Sequence, residues 1–105
     1  MTWAWELAKS FDNSAVVSPF LPLDELGAAP YQFSMQKNGI VVQSGNTENM
    51  IFSFDDIICF VSKYITLQKG DYIFTGTPAG VGKVSIGEVY TGFLGDKKMF
   101  TCEIK

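Results

Sequence analysis

A β-hairpin over residues 31–44 is the strongest structural signal in the sequence. Residues 31–37 alternate apolar and polar side chains strictly, which is the period of a half-buried strand. Asn38 and Gly39 follow, and the apolar run 40–42 comes directly after them. Asn-Gly between two such runs favours a tight two-residue turn, because both turn positions need a positive φ. The sequence therefore predicts two antiparallel strands joined by a tight turn over residues 31–44.

One main helix is predicted over about residues 54–66. Ser53 and Asp56 have the spacing of a capping box, with Asp in place of the usual Glu or Gln. The apolar residues that follow have the spacing of one helical face: Ile57, Ile58, Val61, Tyr64 and Ile65. Cys59 and Phe60 lie off that face, so we expect the helix to be covered on two sides.

The remaining segments favour short strands joined by turns. Residues 1–30 are expected to be irregular, because Pro, Gly and short polar residues punctuate them. Runs of β-branched and aromatic residues predict strands at 15–17, 72–75, 84–86, 88–94 and 98–104. Together these elements predict an α+β domain that is mostly β and has one main helix.

Composition limits the class of protein. The chain has 105 residues, of which 47% are apolar and 18% are charged, so one folded domain is expected. The net charge is −3 and the eight cationic residues are scattered lysines, which argues against nucleic-acid binding. The sequence has no histidine. Any catalysis must therefore use lysine, carboxylates, hydroxyls, water or the backbone.

The sequence also predicts a cytoplasmic protein that does not enter a membrane. It shows neither a signal peptide nor an apolar run as long as a membrane span of ~18 residues. The two cysteines, Cys59 and Cys102, make no motif. A secreted disulfide scaffold of this size would carry about four or more. We therefore expect two free thiols, both of them buried.

A glycine-rich loop over residues 76–82 is the best candidate for a functional site. It follows the predicted strand 72–75 and has three glycines and one proline within seven residues. Glycine lets backbone N–H groups approach a ligand closely, and successive N–H groups can form an anion-binding concavity. Thr75 and Thr77 add hydroxyls that can hydrogen-bond a carboxylate. The alternative is a tight connection that needs glycine for its shape alone.

The end of this loop resembles a nucleotide-binding P-loop only superficially. That motif needs a glycine where position 77 is Thr, and Ser or Thr where position 84 is Val. Nucleotide binding is therefore not expected.

Lys9 is the other candidate site residue. It lies in a segment that also holds Trp3, Trp5 and Phe11. A lysine among aromatic side chains can be partly desolvated and pair with an anion. The alternative is an ordinary exposed lysine. Asp12 is either its salt-bridge partner or a residue that shapes the loop.

Four segments of the chain occur in the order and spacing of one known family. They are residues 8–12 (Ala-Lys-Ser-Phe-Asp), Asn38-Gly39 with Gln43, residues 46–52, and residues 70–82 with the stretch Thr-Gly-Thr-Pro-Ala-Gly-Val-Gly. Together they resemble the C-terminal half of the catalytic domain of the fumarylacetoacetate hydrolase family. The resemblance covers residues 5–105.

The resemblance implies a mixed β roll with few helices, usually in a homodimer. It implies hydrolysis of C–C bonds, decarboxylation or isomerisation of small 2-oxo acids. Typical reactions are acylpyruvate hydrolysis, oxaloacetate decarboxylation and isomerisation of hydroxy-dienoates. In such enzymes Mg²⁺ or Mn²⁺ chelates the 2-oxo-carboxylate of the substrate and stabilises an enolate as the bond breaks.

The same resemblance implies roles for individual residues. Lys9 matches the catalytic lysine that contacts the bound substrate near the metal. Thr77 matches the threonine whose hydroxyl holds the substrate carboxylate, with backbone N–H groups at Gly76 and Thr77 assisting. Gln43 matches a recurring position, to which the resemblance attaches no role.

The metal ligands are where the chain departs from the family pattern. The family uses a Glu-x-Glu pair and an Asp upstream of the segment matched by residues 8–12, and its catalytic base and lid also lie upstream. Eight residues precede Lys9, and no two glutamates of the chain are two apart. We therefore expect no metal ligands here. Two hypotheses follow: the C-terminal portion of a metal-dependent 2-oxo acid enzyme, or a non-catalytic β module that keeps the fold without activity.

Overall fold

The computed structural model describes residues 12–105, so the predicted site residue Lys9 lies outside the described residues. In chain order the elements are α1 (Leu23–Leu26), β1 (Gln32–Lys37), β2 (Ile40–Asn46), a 3-10 turn (Thr47–Asn49), α2 (Phe54–Ser62), β3 (Val89–Leu94) and β4 (Lys97–Glu103). The four strands form one antiparallel sheet in the order β2-β1-β3-β4. The predicted fold class, mostly β with one main helix, is confirmed.

The predicted hairpin forms one half of this sheet. β1 pairs with β2 across Asn38 and Gly39, whose φ angles are 50° and 84°. The register then shifts, so that Met35 pairs with Gln43 and Val42 is left as the extra residue of a β-bulge. A bulge bends its strand and re-aims the side chains beside it. The side chains of residues 43–46, which follow the bulge, therefore point in directions that a regular strand would not give them.

The start of β3 is joined to the turn of the first hairpin. The Asn38 backbone N–H donates to the Val89 carbonyl at 2.8 Å, and the Val89 N–H donates to Asn38 Oδ1 at 2.9 Å. Lys37 Nζ lies 2.6 Å from Glu88 Oε2. The hydrogen bond from Lys37 lowers the pKa of Glu88, and the same bond raises the pKa of Lys37. These contacts hold β1 and β3 side by side.

The capping box predicted for α2 is present. Ser53 Oγ accepts from the Asp56 N–H at 3.1 Å, and Asp56 Oδ2 accepts from the Ser53 N–H at 3.2 Å. The helix ends at Ser62, earlier than the predicted position of about 66. The last turn tightens, because the Lys63 and Tyr64 N–H groups donate to carbonyls three residues back, on Phe60 and Val61.

Loss of this cap has an expected cost. Ser53→Ala should lower the free energy of unfolding by about 1 kcal/mol, because it leaves the Asp56 N–H without its acceptor. Ser62→Ala is the matched control, since the Ser62 hydroxyl only donates to the Cys59 carbonyl within the same helix. Denaturant unfolding of both variants measures the difference. Equal stability of Ser53→Ala and the parent would contradict the capping role.

Three of the predicted strands are wrong. Segments 15–17, 72–75 and 84–86 have no strand structure. Backbone hydrogen bonds from residues 72–75 to other backbone groups are absent within residues 12–105. A strand needs a hydrogen-bonded neighbour as well as a suitable composition, and no neighbour is present in this part of the chain.

Much apolar surface is left open in the described part of the chain. Tyr90, with 8% of its surface exposed, is the only buried apolar residue among residues 12–105. On α2, Ile58 and Phe60 are 45% and 62% exposed, so the prediction of a helix covered on two sides is wrong within these residues. Both cysteines are free as expected, but Cys59 is exposed and Cys102 is half-buried, so the predicted burial of both is wrong. No helix within residues 12–105 has the length and apolar character needed to span a membrane.

Candidate functional site

The glycine-rich loop forms one wall of an open cleft of about 520 Å³. The other walls come from Phe33 on β1, from residues 44–47 at the end of β2 and the start of the 3-10 turn, and from residues between 49 and 57 that lead into and begin α2. The polar side chains among the lining residues are Ser44, Asn46, Thr47, Asn49, Thr75 and Thr77. The lining taken from residues 12–105 contains no charged side chain. An anion in this cleft would therefore be held by neutral donors unless a cation reaches it from elsewhere.

The turn after β2 shapes the apolar side of the cleft. Asn46 Oδ1 accepts from the Glu48 N–H at 2.9 Å, and Thr47 Oγ1 accepts from the Tyr31 N–H at 2.8 Å. These bonds turn the chain from the sheet towards α2. The turn leaves an apolar wall of Met50, Ile51, Phe52, Phe54 and Ile57. This wall was not predicted from the sequence. The turn that forms it could have been predicted, because Asn after a strand favours a capped turn.

The two predicted substrate-binding residues of the loop, Gly76 and Thr77, both line the cleft. Gly76 has a φ of 99°, which its lack of a side chain permits. Within residues 12–105, neither the Gly76 N–H nor the Thr77 N–H donates a hydrogen bond to the backbone. The Thr77 hydroxyl accepts one hydrogen bond, from Gln43, but its own proton has no acceptor in that range. As far as the described residues go, three donors are thus available to bind a carboxylate in the cleft.

The loop is attached to β2 by contacts that sequence reasoning did not predict. Gln43 Nε2 donates to Thr77 Oγ1 at 2.9 Å and to the Pro78 carbonyl at 3.1 Å. Gly80, with a φ of 107°, lies so close to β2 that an added Cβ would overlap the Val42 carbonyl. Gln43 and Thr77 are separated by 34 residues. No local pattern can indicate such a pairing, because it depends on the bulge in β2.

The second predicted site segment is only partly described. Lys9, predicted as catalytic and substrate-binding, lies outside residues 12–105. Asp12 is exposed and lies in a turn with Asn13, whose φ is 62°. The predicted pairing of Asp12 with Lys9 stays a prediction.

A resident metal ion does not fit the described residues. Within residues 12–105, no group of three or more His, Cys, Asp or Glu side chains could hold a metal. Asp56 is used in the capping box of α2, as the spacing of Ser53 and Asp56 predicts. Hard divalent cations need several oxygen ligands in one place, and this part of the chain supplies no such cluster.

Comparison with known proteins identifies the family. The family described as fumarylacetoacetate (FAA) hydrolase, C-terminal, matches residues 1–105. The chain therefore belongs to the fumarylacetoacetate hydrolase family and corresponds to its C-terminal region. The resemblance seen in the sequence is confirmed.

Curated relatives carry the names of oxaloacetate tautomerases. Human oxaloacetate tautomerase FAHD1, mitochondrial, is 49% identical over 82 residues, which are 76% of this chain and 37% of the relative. Oxaloacetate tautomerase YcgM of Escherichia coli K12 is 42% identical over 89 residues, or 83% of this chain and 41% of the relative. The chain thus spans about two fifths of the length of these relatives.

Solved structures match the fold closely. A fumarylacetoacetate hydrolase family protein from Yersinia pestis superposes with a TM-score of 0.89 and 38% identity, over 96% of this chain and 46% of its own. Fumarylpyruvate hydrolase from Pseudomonas aeruginosa, in complex with Mn²⁺ and pyruvate, gives a TM-score of 0.86 and 32% identity, over 95% of this chain and 43% of its own. Members of the family are thus enzymes, and one of them is seen with a divalent metal and a 2-oxo acid.

Proposed function

We propose that this chain is the C-terminal portion of an enzyme that acts on small 2-oxo acids, and that its glycine-rich loop holds the carboxylate of the substrate. The observation that carries the proposal is the set of three donors at Gly76 and Thr77 that have no acceptor within residues 12–105 and belong to residues lining one cleft. The names of the relatives support the substrate class. Oxaloacetate, fumarylpyruvate and pyruvate share a carboxylate next to a 2-oxo group.

The residues of this chain would bind and orient the substrate. The Thr77 hydroxyl and the two N–H groups donate to the carboxylate, in hydrogen bonds that the negative charge strengthens. A substrate fixed at its carboxylate presents its 2-oxo carbon in one orientation, which lowers the entropy lost on reaching the transition state. Negative charge develops on the 2-oxo oxygen as an enolate forms, whether the reaction is tautomerisation, C–C hydrolysis or decarboxylation. A fixed cation nearby stabilises that charge.

Lys9 is the cation that we assign to this role. The lining of the cleft within residues 12–105 has no charged side chain, so an anionic substrate needs a positive charge from elsewhere. Residue 9 is the family lysine by resemblance. Its ammonium group would contact the substrate and stabilise the developing negative charge.

The metal of the complete enzyme, Mg²⁺ or Mn²⁺, is assigned to residues outside 12–105. The absence of a ligand cluster in that range supports this assignment, as does the Mn²⁺ in the complex of the Pseudomonas aeruginosa relative. The metal would supply Lewis-acid stabilisation of the enolate when bound.

Assembly and location are further parts of the proposal. A homodimer is supported by the exposed apolar residues, since large apolar patches usually mark interaction sites. A cytoplasmic location is proposed from the two free cysteines, since thiols stay reduced in the cytosol. Light scattering of the natural protein that contains this chain tests the dimer, and a monomeric mass would contradict it.

The test of the proposed function is turnover by the natural protein that contains this chain. It should tautomerise or decarboxylate oxaloacetate, or cleave fumarylpyruvate, in the presence of Mn²⁺. The alternative is a non-catalytic β module. Two observations within residues 12–105 favour it: the cleft lining has no charged side chain, and no cluster of metal ligands is present. Absence of turnover together with absence of oxalate binding would establish that alternative.

A substitution of Lys9 separates catalysis from folding. Lys9→Ala in the natural protein should reduce kcat/KM about 100-fold or more, because a charge-stabilising group at the reacting centre is worth about 3 kcal/mol. The melting temperature should change little. Lys69→Ala is a control for loss of one lysine, at a position outside the cleft lining. Equal loss of stability and activity in Lys9→Ala would show that Lys9 is structural.

A further inference from the structure

We propose that Gln43 is a positioning residue, which holds the Thr77 hydroxyl as a hydrogen-bond donor towards the substrate carboxylate. This inference rests on the proposed function, since it concerns the same carboxylate site. It assigns a role to a residue that neither the sequence nor the family resemblance explained.

The orientation of the Gln43 amide is determined by its two partners. The group 3.1 Å from the Pro78 carbonyl must be the NH₂ group, because a carbonyl oxygen only accepts. The same nitrogen lies 2.9 Å from Thr77 Oγ1. Its two hydrogens are thus divided between Pro78 and Thr77, and Gln43 donates to the Thr77 hydroxyl oxygen.

This donation decides what the Thr77 hydroxyl can do. A hydroxyl has one proton to donate and two lone pairs to accept with. Because Gln43 occupies a lone pair, the hydroxyl proton points away from Gln43, and within residues 12–105 it has no acceptor. A hydroxyl that already accepts a hydrogen bond is also a stronger donor. A carboxylate bound in the cleft can accept this proton, since an ionised carboxylate is a hydrogen-bond acceptor and never a donor.

The bulge in β2 is what brings Gln43 to the loop. The strand register shifts beside Gln43, with Val42 as the extra residue. The Val42 carbonyl lies against Gly80, and Gln43 Cγ would be 3.0 Å from a Cβ added there. Both residues of the bulge thus contact the loop, at its Thr77–Pro78 corner and at Gly80. The bulge makes the edge of the sheet a support for the binding loop.

A double-mutant cycle tests the positioning role, with oxalate as the probe and Mn²⁺ present. Oxalate has the two adjacent carboxylates of a 2-oxo acid enolate, and its affinity for the natural protein is measured by calorimetry. Gln43→Met keeps the side-chain length and removes the donor. It should weaken oxalate binding about 10-fold when residue 77 is Thr. In the Thr77→Val background the same change should weaken binding less than about 2-fold, because coupled residues are not additive.

Gln36→Met is the matched control. Gln36 is a half-buried glutamine on β1, paired in the sheet with Val41 and Thr91, and its side chain makes no hydrogen bond within residues 12–105. This variant should bind oxalate like the parent. If Gln43→Met does not fold, Gln43→Leu replaces it: it also removes the donor and adds no charge, so the same loss that depends on Thr77 is expected.

Each outcome of the cycle is decisive. An equal loss from Gln43→Met in both backgrounds would overturn the positioning role while leaving the carboxylate site in place, because Gln43 would then act only on the loop backbone. No loss from Thr77→Val by itself would overturn the carboxylate site and with it the proposed function. A loss that depends on Thr77 supports the positioning role.

Discussion

Gly80→Ala is expected to weaken oxalate binding by the natural protein about 10-fold or more and to lower its stability by about 2–6 kcal/mol. Two costs add. Gly80 has a φ of 107°, where a residue with a side chain is strained by about 1–3 kcal/mol. Its new Cβ would also overlap the Val42 carbonyl, a backbone atom that cannot rotate away, and such overpacking costs about 1–3 kcal/mol. The loop relieves both by moving off β2, which separates Thr77 from Gln43.

Gly82→Ala is the control for this prediction. Gly82 belongs to the same loop, but it has no positive φ and nothing lies within 4 Å of an added Cβ. Its substitution should change the free energy of unfolding by no more than about 0.5 kcal/mol. Thermal melting and oxalate calorimetry of both variants give the comparison. Similar behaviour of the two variants would contradict the close packing of Gly80 on the bulge.

Thr77→Val is expected to weaken oxalate binding by the natural protein about 10- to 100-fold with little change in stability. Valine keeps the shape of threonine and removes the hydroxyl, and a hydrogen bond to a charged group contributes about 1.5–3 kcal/mol. The exposed position of Thr77 means that folding loses little. Gln43 keeps its bond to the Pro78 carbonyl in this variant, so the loop stays attached to β2.

Thr75→Val distinguishes a specific hydroxyl from a merely polar lining. Thr75 lines the same cleft two residues away but makes no hydrogen bond to Gln43. Its substitution should change oxalate affinity less than about 3-fold. Equal effects at the two threonines, or an unchanged affinity in Thr77→Val, would contradict the role assigned to Thr77.

Local patterns were enough to predict the elements whose stabilising contacts are local. The Asn38-Gly39 turn is made by two adjacent residues with positive φ, and the capping box joins Ser53 to Asp56 within one turn. Both were correctly predicted because the interacting residues are close in sequence. The end of α2 was predicted too late, because the apolar spacing continues through Ile65 while the backbone tightens after Ser62.

Elements that depend on distant partners could not be predicted in the same way. Residues 72–75 have the composition of a strand, but strand formation requires a neighbouring strand that a composition cannot supply. The expected burial of Cys59 failed for a related reason, because burial depends on what packs against α2.

In the site too, residues of a local motif were predicted and a role that depends on a distant contact was not. Gly76 and Thr77 were found through a dense motif, and the structure places both in the cleft. The positioning role proposed for Gln43 could not be predicted from the sequence, because it depends on a bulge in β2 and on a contact with Thr77, 34 residues away. Lys9 stays a prediction from the family resemblance.

A thermal melt of the natural protein that contains this chain, with Mn²⁺, with oxalate and with both, tests the proposed function most directly. A ligand at about 100 times its Kd adds about 2.7 kcal/mol of stability, which raises the melting temperature by several degrees or more. We expect a rise that needs both ligands, is reduced by Thr77→Val and is absent when residues 1–105 are melted by themselves. A melting temperature of the natural protein that does not respond to the two together would contradict the 2-oxo acid site.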